Sequence, residues 1–176
     1  MEAKMQLVHI QKPDTRLLYE MKHPYEELIL VVLITAGGKE RIEAEIRCNL
    51  RGARAKVKMY AIVLAKGEAN IRLHISQFHT AHQTSSDTSV RSVLWDESRV
   101  SCESRIHISK EGGKSSAWFR SQHLLISEKT QAATKPYLEI LNHDVTCKHS
   151  ASIGFIPSDV LWCMKMKGML KSLEYV

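Results

Sequence analysis

Residues 41–51 alternate strictly between apolar and polar side chains. Charged residues, mostly Arg and Glu, separate the apolar positions, which are Ile42, Ala44, Ile46, Cys48 and Leu50. Only a period of two places all of these apolar groups on one side, because successive side chains of a β-strand point to opposite faces. The segment is therefore predicted to be a strand with one buried and one solvent-facing side.

The same alternation returns in three further segments. Their inward positions are predicted to be Ala53, Ala55, Val57 and Met59, then Ala69, Ile71, Leu73 and Ile75, then Val100, Cys102, Ser104, Ile106 and Ile108. Gly52 lies between the first two alternating segments, where a tight bend or bulge is expected. Short strands separated by turn-forming residues predict an all-β sandwich, barrel or solenoid. No fixed sequence period is apparent that would choose among these three.

The end of the chain changes character. Pro157-Ser158-Asp159 offers a helix cap, which predicts a helical segment over about residues 158–175, after a β region over about residues 5–156. No linker or low-complexity stretch divides the 176 residues. One domain is therefore expected over residues 1–176.

Several features favour a cytoplasmic protein. The longest apolar run, residues 28–36, is far shorter than the ~20 residues of a membrane span and predicts a buried strand. Residues 1–11 lack the apolar core of a signal peptide, and the four cysteines contain no C-x-x-C pair. We therefore expect reduced thiols and no membrane partner. The net charge of +6 is interpreted as a contribution to solubility.

Residues 143–149 hold the candidate site. If they are extended, Cys147 and His149 project from one face together with His143 and Val145. A thiolate and an imidazole two residues apart can bind one soft metal or one iron of a cluster. Two ligands are too few for a structural metal site, so the others would come from elsewhere or from another subunit. The alternative is a half-buried Cys beside a surface His.

The other motifs of the sequence do not indicate an enzyme. Gly113-Lys114-Ser115 resembles the end of a phosphate loop, but Ile108 stands where that loop needs Gly, so the segment is predicted to be a hairpin turn. There is no G-x-S-x-G motif, and we expect no catalytic activity. His79 and His82, spaced as H-x-x-H, would point to opposite faces of a strand and are interpreted as structural, hydrogen-bonded residues.

A basic face is predicted on two successive strands, formed by Arg47, Arg51, Arg54, Lys56 and Lys58. Nucleic-acid binding would need stacking aromatics between these cations, and only Tyr60 is available. A solvated outer face without nucleic acid is therefore preferred, and nucleic-acid binding is kept as a third hypothesis.

Three stretches, in this order, resemble the core of the SufB/SufD family. They are residues 79–94, residues 124–140 and residues 144–168, the last containing the Cys-x-His motif with Ala151 and Gly154 after it. The resemblance implies a right-handed parallel β-helix with a helical C-terminal region. It also implies iron–sulfur cluster assembly in a complex where SufB and SufD pair through their β-helices and a SufC-type ATPase docks on the C-terminal helices.

Within that family the chain is more similar to SufD. The SufD interface histidine corresponds to His149, with Cys147 beside it, and Ser121 stands where SufB carries its sulfur-accepting cysteine. The resemblance therefore implies a non-catalytic, SufD-like scaffold working with a SufB-like partner or a copy of itself. It would use Cys147 and His149 for a transient iron–sulfur cluster. Lys148 between them is predicted to lower the pKa of the Cys147 thiol. The alternative is a reduced β-helix interaction module without cluster chemistry.

Overall fold

The computed structural model describes residues 3–168. Within this range it contains eleven strands and one helix. Their bounds are β1 Lys4–Ile10, β2 Thr15–Met21, β3 Glu27–Ala36, β4 Arg41–Leu50, β5 Lys56–Ala65, β6 Asn70–His79, β7 Ser85–Leu94, β8 Arg99–Ile108, β9 Ser116–Leu125, β10 Gln131–Ile140, β11 Thr146–Phe155 and α1 Ser158–Met166.

The strands form two parallel sheets. Sheet A has the order β1-β3-β5-β7-β9-β11, and sheet B has the order β10-β8-β6-β4-β2. Because consecutive strands belong to different sheets, the chain winds from one sheet to the other at every corner, through about five coils. The parallel β-helix is therefore confirmed. The hairpin predicted at residues 113–115 is wrong, since this corner joins β8 of sheet B to β9 of sheet A.

The coils repeat at similar but unequal lengths. Glu27 pairs with Lys56 and Lys56 pairs with Ser85, and the Lys56–Glu27 hydrogen bond joins residues 29 apart. Later coils are slightly longer, so that Ser92 contacts His123 at a separation of 31 residues. The offset thus ranges from 24 residues between β1 and β3 to 32 between β8 and β10, so a repeat is present although its length is not fixed, as expected. Stacked positions carry different side chains, which hides the repeat in the sequence.

Alternate side chains of both sheets meet in one continuous core. The inward residues predicted for β4 are each at most 2% exposed, and those predicted for β6 and β8 are also buried. The apolar run on β3 is buried on one face only, since Leu30 and Val32 point inward while Val31 and Leu33 are half-exposed on the outer face. The prediction of a buried strand therefore holds for every second residue.

The C-terminal helix begins where it was predicted. It ends at Met166, so residues 167–168 of the predicted segment form a turn rather than helix, and residues 169–175 lie outside the described residues. Within residues 3–168 there is no helix long and apolar enough to cross a membrane.

Gly52 lies at the corner between β4 and β5, against the previous coil. Its amide donates a hydrogen bond to the Met21 carbonyl at 2.8 Å. A Cβ at this position would lie 2.0 Å from the carbonyl oxygen of His23. The bend expected at Gly52 is thus a close approach of two backbones, which only glycine allows.

Replacing Gly52 should separate these coils. We expect Gly52→Ala to lower the free energy of unfolding by at least about 2 kcal/mol, because the clash is with backbone that cannot move aside. Gly37→Ala is the matched corner control, since no atom lies within 4 Å of its Cβ position, and it should change stability by less than about 0.5 kcal/mol. Urea unfolding measures both variants, and equal stabilities would contradict the close coil packing.

Candidate functional site

The last strand, β11, carries the candidate residues Cys147 and His149. In the register with β9, Cys147 lies beside Ala117 and His149 lies beside Phe119. Ala117 and Phe119 are buried in the core, so Cys147 and His149 lie on the inward face of the last coil. The structure therefore brings this pair to one face, as alternation predicted.

His143 and Val145 precede the strand. Val145 is half-buried and packs against the core, as Cys147 does, whereas His143 is exposed in the preceding loop. Of the four residues predicted to share one face, only Cys147 and His149 lie on β11 as potential ligands.

The two side chains have different surroundings. Cys147 is half-buried, and this burial raises the pKa of its thiol. His149 is exposed. Lys148 is directed to the opposite face, where its Nζ lies 5.1 Å from the centre of the Trp118 ring. The predicted lowering of the Cys147 pKa by Lys148 is therefore wrong, because desolvation by the core outweighs a cation on the other side of the strand.

The inward face of the last coil is uncovered in the described residues. Its large apolar side chains are 40–54% exposed, namely Leu138, Ile140, Ile153 and Phe155. One coil earlier, their register partners Ile106, Ile108, His123 and Leu125 are all buried. Cys147 and His149 thus lie at an apolar surface that would be core if another polypeptide segment followed.

Residues 3–168 contain no group of three or more His, Cys, Asp or Glu side chains arranged to hold a metal ion. Burial raises the pKa of both Cys48 and Cys102 to about 12, so these thiols stay protonated inside the core. Cys163 is exposed on α1. Cys147 and His149 thus remain as two potential donors, and two are too few for a structural metal site.

A polar network fills part of the solenoid interior around His79. Its Nδ1 lies 2.8 Å from Thr84 Oγ1 and its Nε2 lies 2.9 Å from Ser86 Oγ. Burial lowers the pKa of His79 to about 4, with a smaller contribution from repulsion by His107. The structural role predicted for His79 is confirmed. His82 is exposed at the next corner, and a structural, hydrogen-bonded role for its ring stays a prediction.

A second interior network surrounds His123. Its ring nitrogens contact Ser92 Oγ at 2.6 Å and Thr134 Oγ1 at 2.8 Å, and burial lowers its pKa. Ser121 Oγ also contacts Thr134 Oγ1, at 3.1 Å. Ser121 is therefore an interior hydroxyl that already has a partner. Ser104 Oγ, by contrast, is buried without a hydrogen-bond partner in the described residues.

The sequence analysis did not find the His123 network. The available signal was β7, whose inward residues Ser86, Thr88 and Ser92 are polar and yet buried. Such a strand shows no apolar alternation, so hydropathy cannot assign its inward face.

A protein-family comparison agrees with this architecture. Residues 29–172 match the model described as "SUF system FeS cluster assembly, SufBD core domain". The chain belongs to the SufBD core domain family.

Individual relatives are distant and include both subunit types. The iron–sulfur cluster assembly protein SufD of Escherichia coli (strain K12) is 25% identical over 79 residues, which cover 45% of this chain and 19% of that protein. SufB of Bacillus subtilis (strain 168) is 23% identical over 122 residues, covering 69% and 26%. The SufBD family protein ycf24 of Galdieria sulphuraria is 22% identical over 122 residues, covering 69% and 55%. The match to this chain thus spans about a quarter or less of the first two relatives.

The basic face predicted on β4 and β5 is divided between the two sheets of the structure. Arg47 lies on the outer side of sheet B, 4.2 Å from the centre of the Phe78 ring, whereas Lys58 lies on the outer side of sheet A. Arg51 pairs with Glu20 at 3.2 Å. The cations therefore do not form one stripe, because consecutive strands of a two-sheet solenoid face opposite directions.

Burial of His79 makes the stability of the SufBD core depend on pH. The unfolded chain protonates this histidine near pH 6.5, and the folded protein only near pH 4. Between these values the unfolded state binds more protons, so the free energy of unfolding falls as pH decreases, by up to about 3 kcal/mol from His79 alone.

We expect His79→Asn to reduce this pH dependence, because the amide keeps hydrogen-bonding atoms but does not titrate. The control is His82→Asn, at the exposed position three residues away, which should keep the parent slope. Urea unfolding between pH 4 and 7 measures all three proteins. Identical slopes for the parent and His79→Asn would show that His79 is not held neutral by the core.

Proposed function

We propose that this chain is a non-catalytic scaffold subunit of iron–sulfur cluster assembly with a SufD-like site. The observation that carries the proposal is the pair of donors, Cys147 and His149, on the uncovered inward face of the last coil. Thiolate and imidazole are ligands of cluster iron. A cluster needs more than two protein ligands, so a second polypeptide that covers this end would supply the others.

The chemistry of Cys147 and His149 suits a cluster that is bound transiently rather than permanently. The raised pKa of Cys147 means that iron has to displace a proton from the thiol, so binding becomes tighter as pH rises. His149 is exposed and can offer its imidazole to an incoming iron. In this proposal the cluster is cargo, held transiently between subunits.

Ser121 supports a role different from sulfur acceptance. Its hydroxyl is 1% exposed and contacts Thr134, and a hydroxyl does not carry persulfide sulfur. In this proposal a SufB-like partner receives the sulfur, and the present chain contributes Cys147 and His149 from the other side of the interface.

Two surfaces would meet partners. A SufB-like protein or a second copy would cover the apolar end formed by the last coil. A SufC-type ATPase would dock on α1, which exposes Val160, Trp162 and Met166. The support for these partners is family membership, together with relatives named as SufB and SufD.

Cluster binding is tested by anaerobic reconstitution with ferrous iron and sulfide. We expect the parent to develop charge-transfer absorption, and the double variant Cys147→Ala/His149→Ala to lose more than half of it, because both donors are removed. The matched control is Cys163→Ala/His143→Ala, which removes an exposed Cys and an exposed His elsewhere and should keep the parent spectrum. A Cys147/His149 variant that matches the parent would refute this site.

The second candidate function is a β-helix interaction module without cluster chemistry. The observation in its favour is the protonated, half-buried Cys147, which resembles a packing residue. Both candidates use protein partners, and they differ in whether iron binds and whether the ATPase docks.

Docking is tested at Trp162, which is 63% exposed on α1. We expect the parent to co-purify with a SufC-type ATPase, and Trp162→Glu to lose at least tenfold in affinity, because the charge removes an apolar anchor. Leu18→Glu, at a 62% exposed position on sheet B, should bind normally. A parent chain that never binds the ATPase would favour the interaction module.

A further inference from the structure

The outer faces of the two sheets differ in chemistry. On sheet B, charged side chains pair across neighbouring strands. Arg16 lies 3.5 Å from Glu45, and Lys135 lies 3.9 Å from Glu103. Charged side chains paired in this way are typical of a sheet face that is exposed to solvent.

The outer face of sheet A is apolar over its first strands. Met5 and Leu7 on β1 are 71% and 73% exposed, and Tyr60 and Ile62 on β5 are 46% and 41% exposed. Between them the three middle outward side chains of β3, Ile29, Val31 and Leu33, are half-exposed aliphatics. A contiguous apolar patch of this kind on a surface otherwise covered by polar residues marks an interaction site.

The strand register arranges these side chains as a diagonal band, here named the outer stripe. Neighbouring strands place Met5 beside Ile29, Leu7 beside Val31, and Leu33 beside Ile62. The complete outer stripe consists of Met5, Leu7, Ile29, Val31, Leu33, Tyr60, Ile62, Leu64, Val93 and Leu124.

The outer stripe has the dimensions of a helix. It climbs six residues along the strands, roughly 20 Å, and crosses four strand spacings, roughly 19 Å. Its diagonal is therefore about 28 Å, the length of a helix of about 18 residues. Its width of two to three strands is about 10 Å, close to the diameter of one helix.

Cations border the outer stripe on one side. In the register, Lys58 lies beside Ile29 and Arg91 lies beside Ile62. The nearby carboxylates are already engaged, since Glu27 binds Lys56 and Asp87 binds Arg120, both at 2.7 Å. Within residues 3–168 no ion pair joins Lys58 or Arg91 to a carboxylate. A ligand of the stripe would therefore be apolar on its contact face and acidic along one edge.

We propose that the outer stripe is the docking site for an amphipathic α-helix of a partner protein, about 18 residues long, with Asp or Glu along the edge that faces Lys58 and Arg91. Burial of the stripe supplies the binding energy, and the two cations fix the register and orientation of the helix. This surface is the outer side of sheet A, whereas Cys147 and His149 lie on the inward side, so the proposal is independent of cluster binding.

A second copy of the chain fits this surface less well. Face-to-face stacking of two stripes would oppose their cationic borders, whose neighbouring carboxylates Glu27 and Asp87 already pair with Lys56 and Arg120. The described helix α1 has nine residues with Asp159 as its acidic residue in the first turn, which is about half the length that the stripe accommodates. Charge and size therefore favour a different, acidic partner.

The test uses a fluorescently labelled 18-residue synthetic helix with a Leu/Ile face and Glu along one edge, and a matched helix with Lys in place of Glu. Fluorescence anisotropy should show that the full chain binds the Glu helix at least tenfold more tightly than the Lys helix. Ile62→Glu should weaken binding of the Glu helix at least tenfold, while Leu18→Glu on the outer face of sheet B should bind as the parent does. Arg91→Glu should reverse the preference towards the Lys helix.

Equal binding of the two helices, or a Glu helix that is insensitive to Ile62→Glu, would overturn the proposal. Sedimentation velocity and flotation with phosphatidylglycerol vesicles distinguish the other occupants. Self-association or vesicle binding that Ile62→Glu abolishes, without helix binding, would assign the stripe to a second copy or to a lipid surface. Circular dichroism confirms in each case that the outward-facing substitution leaves the fold intact.

Discussion

Every strand of the solenoid takes its backbone hydrogen bonds from strands one coil away, 24 to 32 residues along the sequence, and neighbours in sequence lie in opposite sheets. This parallel, in-register stacking determines which side chains each position can accommodate. It brings the corners into backbone contact, which is why Gly52 has no room for a side chain. It also aligns outward side chains in rows, so that one sheet carries paired charges and the other an apolar stripe.

Within the described residues, the first and last coils are stacked against a neighbouring coil on one side only. In the interior, polar side chains such as His79 and His123 find hydroxyl partners within the core. At the last coil no such partner follows within the described residues, and Cys147 and His149 lie on the same coil as exposed Leu138 and Phe155. The donors that a cluster could use are therefore located on a coil whose apolar inward side chains are left exposed by the described residues. Assembly and ligand binding would be completed by the same contact.

Sequence reasoning predicted the strands where one face is apolar and the other charged, as on β4, and the resemblance supplied the β-helix. It missed the repeat because one stacked column holds Ile46, Ile75, Ser104 and Pro136, which share an inward position and no common chemistry. It placed Cys147 and His149 on one face correctly. It misjudged the thiol pKa because the environment of Cys147 depends on a core built from distant strands. The outer stripe was not recognised because the apolar run on β3 was interpreted as a buried strand. Hydropathy does not distinguish an apolar side chain in the core from one at the surface.

In the proposed function this chain supplies half of a cluster site at the end of its solenoid that the described residues leave exposed. Native mass spectrometry of the anaerobically reconstituted protein tests it most directly, because it weighs each polypeptide assembly together with its iron and sulfide. The account predicts that cluster mass appears only on species containing at least two polypeptides. A cluster retained by a single chain would contradict it.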